Sequence, residues 1–296
     1  MKIQTLVALL RIEALGSIRA AAAALHVSQP ALTQAIQQLE EELGAQLLIR
    51  SPSGIAFTEY GRSVLRHARL MVSETQRVKE EIAQMRGDGA GHIRLAASPA
   101  ISLSLLPQAL RPFTRKFPQV RVHCIDGVSP MVHPALRSGA IDFALTPVRA
   151  DELETGLVAE WLCEREIVVA AHCDNPHHRA RSLAELVQAR WVHATPSNGP
   201  GAAIDALFLK AGLEPPTPVM VCESLLALPE IVRDTDFVTT LPEALFQRVK
   251  QSHGLRQIEL SVPLPKLQIA ILRMEHVPLT PVAQELLGWV RQAAQA

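Results

Sequence analysis

Apolar residues recur at helical spacing from the start of the chain, with Ile3, Leu6, Val7, Leu10 and Leu15 on one stripe. This predicts a first helix over 3–15, stopped by Gly16-Ser17. An alanine-rich run from Ser17 to Leu25 predicts a short second helix, followed by a tight turn at His26-Val27. Ser28 can accept a bond from an orphan N–H of the next turn, and Pro30 fits a first turn because its missing N–H is not needed there. From there Leu32, Ile36, Leu39 and Leu43 form one helical face, and Gln29, Thr33, Gln34, Gln37 and Gln38 form the opposite one. A small helix packed against a second with a polar, hydrogen-bonding face is a helix-turn-helix, whose second helix enters a DNA major groove.

Leu43-Gly44 predicts a helix C-cap. The next stretch reads as two short strands around a Ser51-Pro52-Ser53-Gly54 turn, the wing of a winged helix, with Arg50 at its base. Thr58-Glu59-Tyr60-Gly61 opens a long helix to about Arg86. On it Val64, Ala68, Met71, Thr75, Val78, Ile82 and Met85 alternate spacings of four and three, a coiled-coil seam that predicts a dimerisation helix roughly 40 Å long. The Gly87-Asp88-Gly89-Ala90-Gly91 run predicts a hinge and domain boundary. Beyond it strands and helices alternate. Strands are expected at 92–97, 120–125, 141–145, 166–171, 191–192, 219–222, 237–240 and 267–273. Helices are expected at 101–117 (bent or restarted at Pro107 and Pro112), 131–137, 183–186, 202–211, 225–233 and 280–294.

Composition changes this picture little. The chain has 296 residues, 48% hydrophobic and 20% charged, enough for two cored domains, and its formal net charge is zero. Residues 1–69 hold seven Lys/Arg against five Asp/Glu. A DNA binder so weakly basic must place its cations well, because phosphate neutralisation supplies most of the affinity. No apolar run reaches the roughly 18 residues of a membrane span, and Arg11 and Glu13 interrupt any signal-like stretch. Cys124, Cys163, Cys173 and Cys222 show no C-x-x-C spacing. A cytoplasmic protein is expected.

Open α/β sheets bind ligands at the carboxyl ends of strands, where helix N-termini present N–H groups. Ser98, Pro99, Ala100, Ile101 and Ser102 follow the first expected strand. Asp126, Gly127, Val128 and Ser129 follow the second, and Thr146-Pro147 the third. Thr195 to Gly201, including Ser197, Gly199, Pro200 and Gly201, opens a later helix, while Glu223-Ser224 and Thr239-Thr240 end further strands. Hydroxyl and N–H donors without Arg or Lys suit a small, singly charged anion held by helix dipoles. The apolar neighbours suit a ring, so an aromatic carboxylate or sulfonate is expected.

The N-terminal run resembles the signature of the LysR-type transcriptional regulators. The matching residues are Gly16, Ser17, Ala21, Ala22, Leu25, Ser28, Gln29, Pro30, Ala31, Leu32, Ile36, Leu39, Glu40, Leu43, Gly44, Leu47 and Arg50, in order and without a gap. Length and element order extend the resemblance over the whole chain. It implies an α+β architecture: a winged helix-turn-helix (1–58), a linker helix (59–86), the hinge (87–91) and a two-lobed α/β effector domain like a periplasmic binding protein (92–296). Lobe I would comprise 92–161 and 267–296, and lobe II 162–266, with chain crossings near 160–165 and 262–267. The resemblance implies promoter DNA contacts by Arg19, Ser28, Gln29, Pro30, Ala31, Thr33, Gln34, Gln37, Arg50 and Ser53. It also implies an inducer cleft lined by the segments 98–102, 127–129, Thr146 and 195–201. Homodimers or homotetramers on inverted-repeat sites are implied, together with RNA polymerase as a partner if the protein activates. Gln34 and Ser53 are neutral where the family commonly carries a cation, so base reading would lean on Gln and Thr, with A·T pairs mildly favoured. No catalytic residues, metal or cofactor are expected beyond the small-molecule inducer.

Other readings compete. His172, Cys173, His177 and His178 could make a metal sensor, but their spacing matches no usual site. A thiol sensor would need two cysteines that meet. An enzyme would need a constellation such as G-x-S-x-G or H-E-x-x-H, which the sequence lacks. A transport-type solute-binding protein would leave the first 86 residues without a use.

Overall fold

A computed structural model of the chain describes residues 1–51, 54–86, 90–129, 131–149, 153–194 and 202–295. They form two units, residues 1–91 with 134–141, and residues 92–133 with 142–296.

In the first unit, α1 (Ile3–Leu15), α2 (Ile18–Ala24) and α3 (Gln29–Leu43) precede a hairpin of β1 (Leu48–Ser51) and β2 (Gly54–Phe57), followed by α4 (Glu59–Met85). Local chemistry sets the boundaries. Gly16 and Gly44 end α1 and α3 in the left-handed region, at φ 66° and 64°. Ser17, Ser28 and Thr58 accept N–H bonds from Ala20, Ala31 and Gly61 at the starts of α2, α3 and α4. His26 takes a positive φ of 55° and makes the sharp turn between α2 and α3. Leu6, Leu9, Ile12, Ala21, Ile36, Leu39, Leu47 and Leu65 close one core, each large side chain contributing about 1.5–3 kcal/mol by burial.

The expected seam on α4 divides. Ala68 is packed into this same core, whereas Met71, Val78, Ile82 and Met85 are exposed on the single chain.

The second unit contains two five-stranded sheets. One has the order β4-β3-β5-β12-β6 and comprises β3 (Gly91–Ala97), β4 (Val120–Asp126), β5 (Phe143–Pro147), β6 (Leu157–Arg165) and β12 (Leu267–Met274). The other has the order β11-β7-β10-β8-β9 and comprises β7 (Ile167–His172), β8 (Arg190–His193), β9 (Met220–Val221), β10 (Phe237–Pro242) and β11 (Leu255–Gln257). β3 runs parallel to β5, while β12 runs antiparallel to β5 and β6. Helices α5 (Pro99–Leu103), α6 (Leu105–Lys116), α8 (Ala202–Lys210), α9 (Ala227–Arg233), α10 (Glu243–Val249) and α11 (Pro281–Gln295) complete it, while α7 (His133–Arg137) falls from Pro134 onward in the first unit. α6 and α11 bury Leu106, Ala109, Phe113, Leu286 and Val290 in the core of the first sheet.

Three expectations are corrected. The 101–117 helix breaks at Ser104, between α5 and α6, and not at a proline: Pro107 falls in the first turn of α6 and Pro112 lies inside it. β6 pairs with β12 from Leu157 to Arg165, which carries the first lobe past residue 161. β11 and α10 were not foreseen. No helix among the described residues is long and apolar enough to cross a membrane.

Candidate nucleic-acid interface and ligand cavity

α3 buries Leu32, Ile36 and Leu39 and turns its other side outward. Gln29, Pro30, Ala31, Gln34, Gln37 and Gln38 are exposed and Thr33 is partly buried, so the expected polar residues share one open face. Arg19, on α2, is exposed as well. The Ser28 hydroxyl accepts from the Ala31 N–H at 3.3 Å, which leaves its own proton free to donate. Ser53 and the side chain of Arg50 lie outside the described residues.

Two residues hold the hairpin in place in ways the sequence did not reveal. Glu40 Oε1 accepts the N–H groups of Leu47 and Leu48 at 2.7 and 3.1 Å. Thr58 Oγ1 donates to the Gln46 carbonyl at 2.7 Å while capping α4. Other cations are held internally: Arg69 pairs with both Glu13 oxygens and Arg62 donates to the Phe57 carbonyl.

The second unit contains a cavity of about 430 Å³. Of the expected ligand residues, Ser98, Pro99, Ala100, Ser102, Val128 and Ser224 line it. Leu103, Met131, Ile167, Leu225, Leu241 and Leu245 add apolar wall, and Asp126 and Glu223 add two carboxylates. Sequence reasoning missed most of the apolar wall because part of it comes from α10 and from the start of β7. The Ser98 side chain is almost wholly buried and its Oγ has no hydrogen-bond partner among the described residues.

Three expected contacts fall elsewhere. Ile101 is fully buried in the core of the first sheet, on the inner side of α5. Thr146 is fully buried, and its Oγ1 accepts the Ser129 N–H at 3.0 Å. Ser129 is tied into a buried chain in which its Oγ meets His133 Nε2 at 3.0 Å and His133 Nδ1 meets Glu154 Oε1 at 2.9 Å. That order of groups resembles a hydrolytic triad, but Ser129 is only 2% exposed and does not line the cavity. The chain holds the loop after β4 and offers no accessible nucleophile. Ser197, Gly199, Pro200 and Gly201 lie outside the described residues.

The sensor readings gain little. Ligand atoms of His172, Cys173 and Asp174 lie within 4.8 Å of one another, a cluster of three consecutive residues on one turn. His178 Nδ1 is instead engaged with the Asn175 carbonyl at 2.7 Å. All four cysteines are unpaired, and burial pushes the thiols of Cys124 and Cys163 up, away from the reactive thiolate.

The family profile described as the LysR substrate binding domain matches residues 86–295. That described as a bacterial regulatory helix-turn-helix protein of the lysR family matches residues 3–62. The chain is 28% identical over 267 residues to the HTH-type transcriptional regulator GalR of Pseudomonas putida, covering 90% of this chain and 67% of that one. It is 28% identical over 280 residues to the SDS degradation transcriptional activation protein of a Pseudomonas species, covering 93% and 90%. The crystal structure of CbnR, a LysR family transcriptional regulator, superposes with a TM-score of 0.74 at 21% identity, covering 100% of both chains. Full-length CbnR complexed with its target DNA gives 0.74 at 22% identity over 99% and 100%. These relatives are regulators and not enzymes. With its helix-turn-helix and its two-lobed C-terminal unit, the chain belongs to the LysR-type family of DNA-binding transcriptional regulators.

Proposed function

We propose that this regulator acts in the cytoplasm, binds an inverted-repeat promoter site as a two-fold dimer and is switched by a small molecule seated in the cavity of its second unit. The observation that carries the DNA reading is the open face of α3, where Gln29, Thr33, Gln34 and Gln37 stand together over a buried Leu32-Ile36-Leu39 stripe. Glutamine matches the adenine N6/N7 edge, and Arg19 with Arg50 would position the helix on phosphates. Ser28, Pro30, Ala31 and Ser53 belong to the same proposed surface.

Dimerisation would use the exposed apolar residues of α4, Met71, Val78, Ile82 and Met85. Two-fold symmetry in the protein then demands two-fold symmetry in the site. Paired dimers would make a tetramer spanning two such sites, and an activating form would contact RNA polymerase.

A cavity of about 430 Å³ falls within the ordinary size range of small-ligand sites. Ser98, Pro99, Ala100, Ser102, Val128 and Ser224 are the proposed effector contacts, with Ser197, Gly199, Pro200 and Gly201 as further candidates. The effector changes DNA binding only by the difference in its affinity for two states of the protein, transmitted through the segment 87–91. An aromatic carboxylate or sulfonate is the effector expected from the sequence.

In vitro selection of random DNA with the full-length protein tests this reading. The expected product is a site with two inverted half-sites separated by about one helical turn. Selection of a single unrepeated half-site would refute the two-fold dimer, and no enrichment would refute specific recognition by α3.

A further inference from the structure

The turn between α2 and α3 repeats the turn that ends α3, with one residue exchanged. At the end of α3 the Gly44 N–H donates to the Glu41 carbonyl at 3.2 Å, and the Ala45 N–H to the Glu40 carbonyl at 3.1 Å. At the end of α2 the His26 N–H donates to the Ala23 carbonyl at 3.2 Å, and the Val27 N–H to the Ala22 carbonyl at 3.0 Å. These paired bonds close a helix on a left-handed residue, a place that glycine fills without steric cost. Gly44 has φ 64° there, and His26 has φ 55°. Among the described residues with positive φ, His26 is the one that is not glycine.

The fold makes no polar use of the ring that occupies this strained position. His26 is exposed, and its imidazole has no hydrogen bond, ion pair or ring contact among the described residues. It stands two residues before Ser28, the cap of α3. It therefore joins the surface at the start of α3, where Ser28, Gln29, Pro30 and Ala31 are exposed as well. In a helix-turn-helix this end of the second helix enters the major groove. The residues leading into it then pass the sugar-phosphate edge of the groove. An imidazole N–H at that place can donate to a phosphate oxygen whether the ring is neutral or protonated.

We propose that His26 is a DNA-contacting residue, whose imidazole donates to a backbone phosphate beside the groove that α3 enters. The inference rests on α3 as the recognition helix. A phosphate contact carries no sequence information, so His26 sets the affinity and register of α3 and not its base preference. A two-fold dimer makes the contact twice, once in each half-site.

The test is H26G in the full-length protein, with Q29A as its companion. Thermal unfolding is followed by affinity measurements, at fixed salt and pH, on the site selected in vitro and on random DNA of equal length. Glycine suits the turn, so H26G is expected to melt at or above the temperature of the parent. It is expected to weaken binding to both DNAs by the same factor, about 5- to 100-fold for a dimer that loses two such bonds. A lower melting temperature would assign the ring to the C-terminal dipole of α2 and overturn the inference. Unchanged affinity, or a loss confined to the selected site, would overturn it too. In each of these cases a Q29A loss confined to the selected site leaves the α3 reading in place. If the parent selects no site, that reading and the inference fall together.

Discussion

Replacing Glu40 by alanine removes a side-chain acceptor that joins the end of α3 to the start of the hairpin. Its Oε1 accepts from Leu47 N–H at 2.7 Å and Leu48 N–H at 3.1 Å. Both leucines are buried, at 0% and 2% exposure, so the freed N–H groups would face the core. A buried donor left unmet costs about 1–3 kcal/mol, and two give about 2–6 kcal/mol. Glu40 is itself partly exposed, and water can recover some of this, which leaves about 2–4 kcal/mol. The assay is amide hydrogen exchange resolved at Leu47 and Leu48 in the full-length protein. A loss of that size corresponds to exchange faster by about 30- to 700-fold at those amides, while the amides of β7 and β10 keep their rates. Glu40→Gln retains an acceptor oxygen without the charge and should lose less than half as much. Unchanged exchange at Leu47 and Leu48 in Glu40→Ala would refute the view that this carboxylate fixes the hairpin.

The same geometry sets further outcomes. A Cβ on Gly61 would stand 2.2 Å from the Leu47 carbonyl oxygen and 3.0 Å from Phe57 Cδ1, so Gly61→Ala should destabilise the first unit by about 1–3 kcal/mol in urea unfolding. Ser129→Ala strands His133 Nε2 in a buried site and should cost about 1–3 kcal/mol, while Ser98→Ala, whose Oγ has no partner, should cost almost nothing; equal losses would contradict the partner assignment. Burial pushes the His193 imidazole below its ordinary 6.5, so the unfolded chain takes up a proton that the folded chain refuses. Its contribution to stability is therefore complete above pH 6.5 and is lost as the pH falls below it. Asp205, raised by burial, acts in the opposite sense at lower pH, where the folded form holds its proton more tightly. Tryptophan fluorescence should report this, since the Trp191 and His193 rings meet edge to face at 6.2 Å, and His193→Leu should flatten the melting-temperature profile just below pH 6.5.

The first unit was legible because its signals are local. Ser17, Ser28, Gly44 and Thr58 cap helices through neighbours three or four residues away, and the Leu32-Ile36-Leu39 stripe states which face of α3 is buried. The second unit was legible in outline only. β6 is an edge strand in which only Leu157 is buried, and Glu160, Glu164 and Arg165 break any apolar alternation, so its charges hid it. α10, with seven residues, is too short for a periodic signal. The break at Ser104 followed no proline, and no local pattern announced it.

The cavity shows the same division. Hydroxyls at strand ends can be read from sequence, and Ser98, Ser102 and Ser224 do share one cavity. Which amides remain to meet a ligand is set by distant pairings such as that of Ser98 with Leu145, which no spacing rule predicts.

The central claim is that the open face of α3 reads bases. Its most direct test measures the affinity of Gln29→Ala and Thr33→Ala, at fixed salt, for a selected site and for random DNA of equal length. Base reading predicts a loss of about 1–3 kcal/mol on the selected site and a much smaller loss on random DNA. Equal losses on both would assign these side chains to the phosphate backbone and contradict the claim.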